Sequence, residues 1–310
     1  MNNIYITGSN GFVGSNLKKH LINCNKKVIG VSRLQDDLSE TIDYYNFYNQ
    51  LKIGESSIIH LAGKAHDVKK NSDENSFFEA NYNLTKEIFD AFIDSNANTF
   101  IYVSSVKAVK DIVNGVLYED EEPNPITAYG RSKNKAENYI LSKKKTEGKR
   151  VFIIRPCMIH GAGNKGNLNL LYGIVKKNIP YPLASFENKR SFLSIDNFNY
   201  LILNILDNSS VDSGIYNFAD DEVLSTNELI KIISLEINQK LILLKVPKKI
   251  IFLLSRVGDF CKFPLNSESL NKLTENYVVS NQKIKLALGI KKLPITARDG
   301  LKKTINSFIN

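Results

Sequence analysis

The sequence predicts an α/β protein: a doubly wound parallel sheet with helices on both faces and a smaller, mostly helical C-terminal domain. Two patterns carry this. Short β-branched apolar runs alternate with longer stretches whose apolar residues recur every three or four positions, as in parallel strands joined by crossover helices. After about Pro156 the alternation gives way to longer loops, to glycines at 161, 163 and 166, and to helical periodicity from Asn227 to Asn310. A boundary near residue 160 follows. Residues 1–160 form the sheet-bearing domain, and 161–310 mainly form the second, with some segments returning to the sheet.

Strands are predicted at residues 4–7, 27–31, 57–61, 99–104 and 150–155, each a run of Ile, Val, Phe or Tyr bounded by polar residues or glycine. The first helical stretch sets Val13, Leu17 and Leu21 at i, i+4 and i+8, one stripe facing a sheet. Residues 79–95 and 127–144 read as helices in the same way. A chain of 310 residues that is 43% hydrophobic and 24% charged buries a sizeable core, which excludes disordered and fibrous classes. Three distant cysteines, Cys24, Cys157 and Cys261, form no CxxC or Cys/His cluster, so neither a disulfide framework nor a metal site is expected. The chain enters its first strand at once, which leaves no room for a signal peptide, and its apolar runs fall short of the roughly 20 residues that span a bilayer. A cytoplasmic location is predicted.

Lys and Arg number 41 against 32 Asp and Glu, a net charge of +9. The lysines are scattered in pairs such as Lys18-Lys19 and Lys302-Lys303 rather than gathered into a basic module, so nucleic acid is not the expected partner. The excess suits a polyanionic small molecule. The cationic, amphipathic stretch 246–257 is read as packing within the C-terminal domain, with membrane-surface contact as the less favoured alternative.

The most specific motif is Gly8-Ser9-Asn10-Gly11-Phe12-Val13-Gly14, between the first strand and the first helix. Such glycines allow a tight turn, a close approach of the backbone to a pyrophosphate and close strand–helix packing, with the helix N-terminus facing the anion. Dinucleotide binding follows. At the end of the second strand, where a carboxylate would hold the ribose hydroxyls of NAD, the chain has Ser32-Arg33, a hydroxyl and a guanidinium suited to a 2′-phosphate. NADP is favoured, with NAD as the alternative. Tyr129-Gly-Arg-Ser-Lys133 places a phenol and an ammonium on one helix face, where Lys133 is expected to lower the Tyr129 pKa for proton exchange near neutral pH. Ser105 precedes Tyr129 by 24 residues at the end of an apolar strand, the carboxyl edge at which ligands bind.

Together these features resemble the short-chain dehydrogenase/reductase superfamily, in its extended branch of NAD(P)-dependent epimerases, dehydratases and reductases of nucleotide sugars. The resemblance extends over essentially the whole chain and implies a Rossmann domain followed by a sugar-nucleotide domain. It implies a catalytic set of Ser105, Tyr129 and Lys133. It implies cofactor contacts from Gly8, Gly11, Phe12, Val13, Gly14, Ser32, Arg33, from Leu61, Ala62 and Gly63 in His60-Leu-Ala-Gly63, and from Asn81, Tyr129, Lys133 and Pro156. Lys107, Lys165, Asn167 and Arg190 are the implied substrate contacts, with Arg190 favoured for the diphosphate. His20 and His66 are read as packed and loop-surface residues, and His160 as a minor candidate for substrate contact.

The chain departs from many members in having Ala108-Val109-Lys110 where they carry Val-Tyr-Gly, and its Ser104-Ser105-Val106-Lys107 pattern together with Lys165-Gly166-Asn167 resembles a subgroup acting on N-acetylated hexosamines in surface-polysaccharide synthesis. The expected reaction is reduction of a UDP-linked 4-keto-6-deoxy-hexosamine. The alternative is 4-epimerisation of a UDP-sugar or lipid-diphosphate sugar with tightly bound NAD, and a more distant one is a non-catalytic cofactor sensor. The resemblance also implies a homodimer built on helices 79–95 and 127–144.

Overall fold

A computed structural model describes residues 2–33, 41–65, 73–143, 147–164, 167–261 and 266–309. Lys165 and His66 lie outside the described residues. In chain order the first elements are β1 (Asn3–Thr7), α1 (Phe12–Asn23), β2 (Val28–Val31), β3 (Thr41–Ile42), α2 (Tyr44–Gln50) and β4 (Ser56–His60). Next come α3 (Glu74–Phe78), a π turn (Glu79–Asn83) and α4 (Leu84–Ile93), which form one bulged helix, then β5 (Thr99–Val103), β6 (Val116–Leu117), α5 (Ala128–Ser142) and β7 (Arg150–Pro156). The chain continues through β8 (Met158–His160), α6 (Asn167–Lys176), β9 (Arg190–Ser194), α7 (Ile195–Asp207), β10 (Gly214–Phe218), β11 (Val223–Leu224) and α8 (Thr226–Glu236). It closes with α9 (Lys248–Cys261), α10 (Ser267–Thr274), β12 (Val278–Val279), α11 (Gln282–Leu288) and α12 (Ala297–Ile309).

Seven parallel strands form the main sheet in the order β10-β7-β5-β4-β1-β2-β3. The strand order reverses between β1 and β4, and a crevice opens at the carboxyl ends of strands at such a switch. Both faces are buried. Ile59 and Ile101 pack toward Leu17, Leu21, Phe198 and Leu201 of α1 and α7, and the alternate residues Ile58, Phe100 and Tyr102 pack toward Phe47, Phe89, Phe92 and Ile140. That two-sided burial explains why the strands read as continuous apolar runs rather than alternating ones.

The predicted strands lie within a residue or so of the observed ones. The helix expected from residue 79 starts at Glu74, because Asp73 accepts a hydrogen bond from the Asn75 backbone and begins the helix earlier. A third apolar cluster joins α6, α8, α12 and Phe192 of β9 under the C-terminal part of the chain. There α9 departs from expectation. Among its described side chains Ile251, Ser255 and Gly258 face inward and Phe252 touches Phe186, so most of the apolar residues of this stretch point outward.

The turn after β1 depends on its glycines. Gly8 has φ +71°, and a Cβ there would sit 2.8 Å from the Ala62 nitrogen. A Cβ on Gly14 would collide with the Gly8 carbonyl oxygen and lie 2.8 Å from Ser9 Cα, both rigid backbone. Gly14→Ala is therefore expected to lower stability by about 1–3 kcal/mol, a shift that thermal denaturation of the two purified proteins would register.

Candidate functional site

The site is assembled at the carboxyl edge where β1, β4 and β5 end. No side chain caps the N-terminus of α1, whose N-cap is Gly11, so its first backbone amides are directed to a ligand anion or water. Phe12 and Val13 start that helix half-buried against the core, and Phe12 leans toward Gly161 and Gly163. Leu61 and Ala62 are tied to Thr7 through Leu61 N to Thr7 O (3.2 Å) and Ala62 N to Thr7 Oγ1 (3.2 Å).

His60, fully buried, organises this edge. Thr85 Oγ1 donates to the Asn81 carbonyl (2.7 Å), so its lone pair accepts from His60 Nε2 (2.9 Å), and His60 Nδ1 accepts from the Thr7 hydroxyl (2.7 Å). Burial, reinforced by the Lys133 charge, pushes the imidazole pKa down to about 3, which keeps it neutral. Asn81 sits in the π turn with its side chain fully engaged. Its Oδ1 accepts from Lys64 N (2.7 Å), and its Nδ2 donates to Lys64 O and to Ser132 Oγ (2.9 Å each). Gly63 passes so close that a Cβ would meet Asn81 Oδ1 at 2.6 Å and Lys133 Nζ at 3.4 Å.

Ser105, just beyond the end of β5, and Tyr129, in the first turn of α5, are neighbours, with the Ser105 hydroxyl placed to hydrogen-bond the Tyr129 phenol. Thr127 caps α5 by accepting from Gly130 N (3.2 Å), and Asp111 accepts from Ile126 N, Thr127 N and Thr127 Oγ1, which anchors the turn carrying Tyr129. Lys133 Nζ donates to Val103 O (2.9 Å) and lies over the Tyr102 ring. The electrostatics differ from the sequence expectation. Burial raises the Tyr129 pKa, and it is the Ser105 hydrogen bond that opposes the rise. Lys133, engaged with Val103 and Tyr102, is itself lowered to about 8 by burial, against the opposing influence of Glu137.

Behind these residues Glu137 and Arg155 form a buried ion pair, with Arg155 Nε 3.1 Å from both carboxylate oxygens and Nη2 2.6 Å from Oε2. Ser104 donates to the same carboxylate, and Arg155 Nη1 donates to Glu119 O (3.2 Å). Glu137 was missed in the sequence. Its signal was present, since it lies four residues after Lys133 on the same helix face.

The remaining candidates surround this centre. Ser32 accepts from Asn10 Nδ2 (3.5 Å) at the end of β2, and Arg33 beside it is exposed. Pro156 ends β7. Lys107 donates its backbone N–H to Ser105 Oγ and its ammonium to Asp111 O (2.6 Å), 4.4 Å above the Tyr277 ring. Arg190 starts β9 beside Tyr277 and lines a hollow with Met158, Leu168, Phe192 and Leu273, where burial works against its charge and Glu275 supports it. Asn167 begins α6. His160 is excluded from the site: it is fully buried, with Nδ1 2.9 Å from Thr304 Oγ1 and Nε2 3.8 Å from Asp220.

A profile of the NAD dependent epimerase/dehydratase family matches residues 4–219. UDP-glucose 4-epimerase of Vibrio cholerae is 28% identical over 324 residues, 99% of this chain and 95% of that protein. N-acetyl-alpha-D-glucosaminyl-diphospho-ditrans,octacis-undecaprenol 4-epimerase of Escherichia coli O157:H7 is 26% identical over 91% of this chain and 84% of its own. The crystal structure of UDP-N-acetylglucosamine 4-epimerase from Bacillus cereus superposes with a TM-score of 0.78 over 100% of both chains at 19% identity, a likeness of fold.

Two outcomes are expected. Glu137→Gln leaves Arg155 buried without its counter-charge and should cost about 3–5 kcal/mol in urea unfolding. For Lys133, whose folded pKa of about 8 lies below its ordinary 10.5, the unfolded chain holds the proton that the native chain releases. Stability should therefore rise from about pH 8 toward pH 10, a rise that Lys133→Met removes in melting curves.

Proposed function

Because the chain belongs to the NAD dependent epimerase/dehydratase family, we propose that it inverts the C4 hydroxyl of a hexose or N-acetylhexosamine carried on a diphosphate. The chain is an NAD(P)-dependent enzyme of the nucleotide-sugar epimerase and reductase type within the short-chain dehydrogenase/reductase superfamily. The observation that carries the proposal is the grouping of Ser105, Tyr129 and Lys133 at the carboxyl edge, with Lys133 one helical turn beyond Tyr129 and its ammonium held at Val103 O. Sequence reading put reduction first. The two relatives described above, aligned over 91% or more of the chain, are both 4-epimerases, and that moves epimerisation ahead.

The edge fits a dinucleotide: the uncapped start of α1 receives a pyrophosphate, and the glycines at 8 and 63 let the loops after β1 and β4 pack tightly against each other and against Asn81 at that edge. When bound, the nicotinamide supplies the hydride acceptor and donor for C4. Tyr129 Oη moves the proton of the C4 hydroxyl, and the Ser105 hydroxyl holds the same oxygen by a hydrogen bond. Lys133, Asn81 and His60 keep that pair aligned. Arg190 and Lys107 take the diphosphate side of the substrate.

A second reading, 4-keto-sugar reduction with NADPH, is favoured by Ser32 and the exposed Arg33, which suit a 2′-phosphate. The proposal further takes the chain as a homodimer through the adjacent α4 and α5, whose outer surfaces carry Lys86, Lys135 and Leu141.

The test is to release and identify the dinucleotide of freshly purified protein and to follow UDP-N-acetylglucosamine and UDP-glucose toward their galacto isomers. Tightly held NAD with isomer formation is the expected result, and Tyr129→Phe should lower kcat about 100- to 10,000-fold while retaining the dinucleotide. Stoichiometric NADPH oxidation by a 4-keto sugar, without isomerisation, would replace this reading with the second.

A further inference from the structure

We propose that α9 is a docking helix that seats the protein on the surface of an anionic phospholipid bilayer. At about 100° per residue, Ile250, Leu253, Leu254, Val257 and Phe260 fall on one continuous arc, and all five are exposed, Leu253 by 65% and Phe260 by 92%. Such an arc is costly to leave in water and marks an interaction surface. The helix is attached to the rest of the protein by a narrow seam. Ile251, Ser255 and Gly258 face inward, and Phe252 packs edge-on against Phe186 at 5.7 Å. The outward face is a feature of the packed fold, since the seam faces the other way.

Charge selects the occupant. Lys249 and Arg256 border the arc, and Lys245 and Lys248 stand at the head of the helix, all exposed. Among the residues of α9 the one acid is Asp259, and its carboxylate is engaged by the backbone and hydroxyl of Ser267 (2.8 and 2.6 Å). An apolar arc with a cationic rim lies in a bilayer interface, the apolar residues among the acyl boundary and the cations at anionic headgroups. Two copies of this face would bring like charges together, which opposes self-association. No helix among the described residues is long and apolar enough to cross a membrane, so the attachment is peripheral. A share of the +9 that the candidate site does not use is thereby accounted for.

The helix also lies beside the substrate end of the molecule. It packs on α10, whose Leu273 lines the hollow with Arg190, and Ile251 and Phe186 share the apolar cluster that includes Phe192. Docking through α9 would bring a diphosphate sugar on a lipid carrier to that hollow. This consequence rests on the function proposed above, whereas the docking does not.

Full-length protein is sedimented with vesicles of phosphatidylcholine alone and of equal parts phosphatidylcholine and phosphatidylglycerol, at low and high salt. Binding to the anionic vesicles, weakened by salt and at least tenfold tighter than to phosphatidylcholine, is expected. Leu253→Glu with Phe260→Glu, and separately Lys249→Glu with Arg256→Glu, should each weaken it by roughly tenfold or more, with melting temperature and turnover of soluble UDP-sugar unchanged. Failure of the wild type to pellet with anionic vesicles, or variants that pellet like it, would overturn the proposal. So would dissociation of an oligomer by the Leu253/Phe260 pair in gel filtration without any vesicle binding, which would make the arc an interface between copies. Because pelleting reads binding alone, a protein that docks but turns over no sugar would count against the proposed function and leave the docking intact.

Discussion

The buried Glu137–Arg155 pair is the constraint on which the site depends. Two charges removed from water are tolerated only with near-complete hydrogen bonding, and here three contacts between them, the Ser104 hydroxyl and the Glu119 carbonyl provide it. The pair joins α5 to β7, and Ser104 brings in the end of β5. A helix held in that way has no freedom to slide or rotate, so Lys133, one turn earlier, and Tyr129, one turn before that, keep their orientation against Ser105. The geometry of the candidate site is thus set by an ion pair that lies behind it.

A second network does the same work on the other side of the crevice. The relay from Thr7 through His60 and Thr85 to the Asn81 carbonyl ties β1 and β4 to the bulged helix. The π turn frees backbone geometry at Asn81 and lets its amide span the Lys64 loop and Ser132 of α5. Both networks are buried and hydrogen-bonded throughout, which is what allows polar groups at a sheet edge to be rigid. The neutral state of His60 belongs to this design, since a proton on its ring would stand near the Lys133 ammonium.

Much of this was legible in the chain. Gly8 takes a left-handed conformation and Gly14 a close backbone approach that a side chain would block, and the apolar runs of β1, β4, β5 and β7 require burial on both faces. Tyr129 and Lys133 share a helix face by spacing alone. The π turn was not legible, because it follows from tertiary demands on Asn81 rather than from any local preference. The outward face of α9 was equally hidden: amphipathic periodicity says that a helix has two faces but not which one meets the protein.

By itself, the sequence determined the parallel α/β architecture and the glycine turn after β1, and it nominated the candidate set of Ser105, Tyr129 and Lys133, because these rest on backbone sterics, periodicity and short-range spacing. Tertiary structure alone decided the protonation balance within that set, the withdrawal of His160 into the core, the Glu137–Arg155 anchor and the exposure of α9. Those depend on desolvation and on contacts between residues far apart in the chain, such as His160 with Thr304, and neither quantity is written in local order.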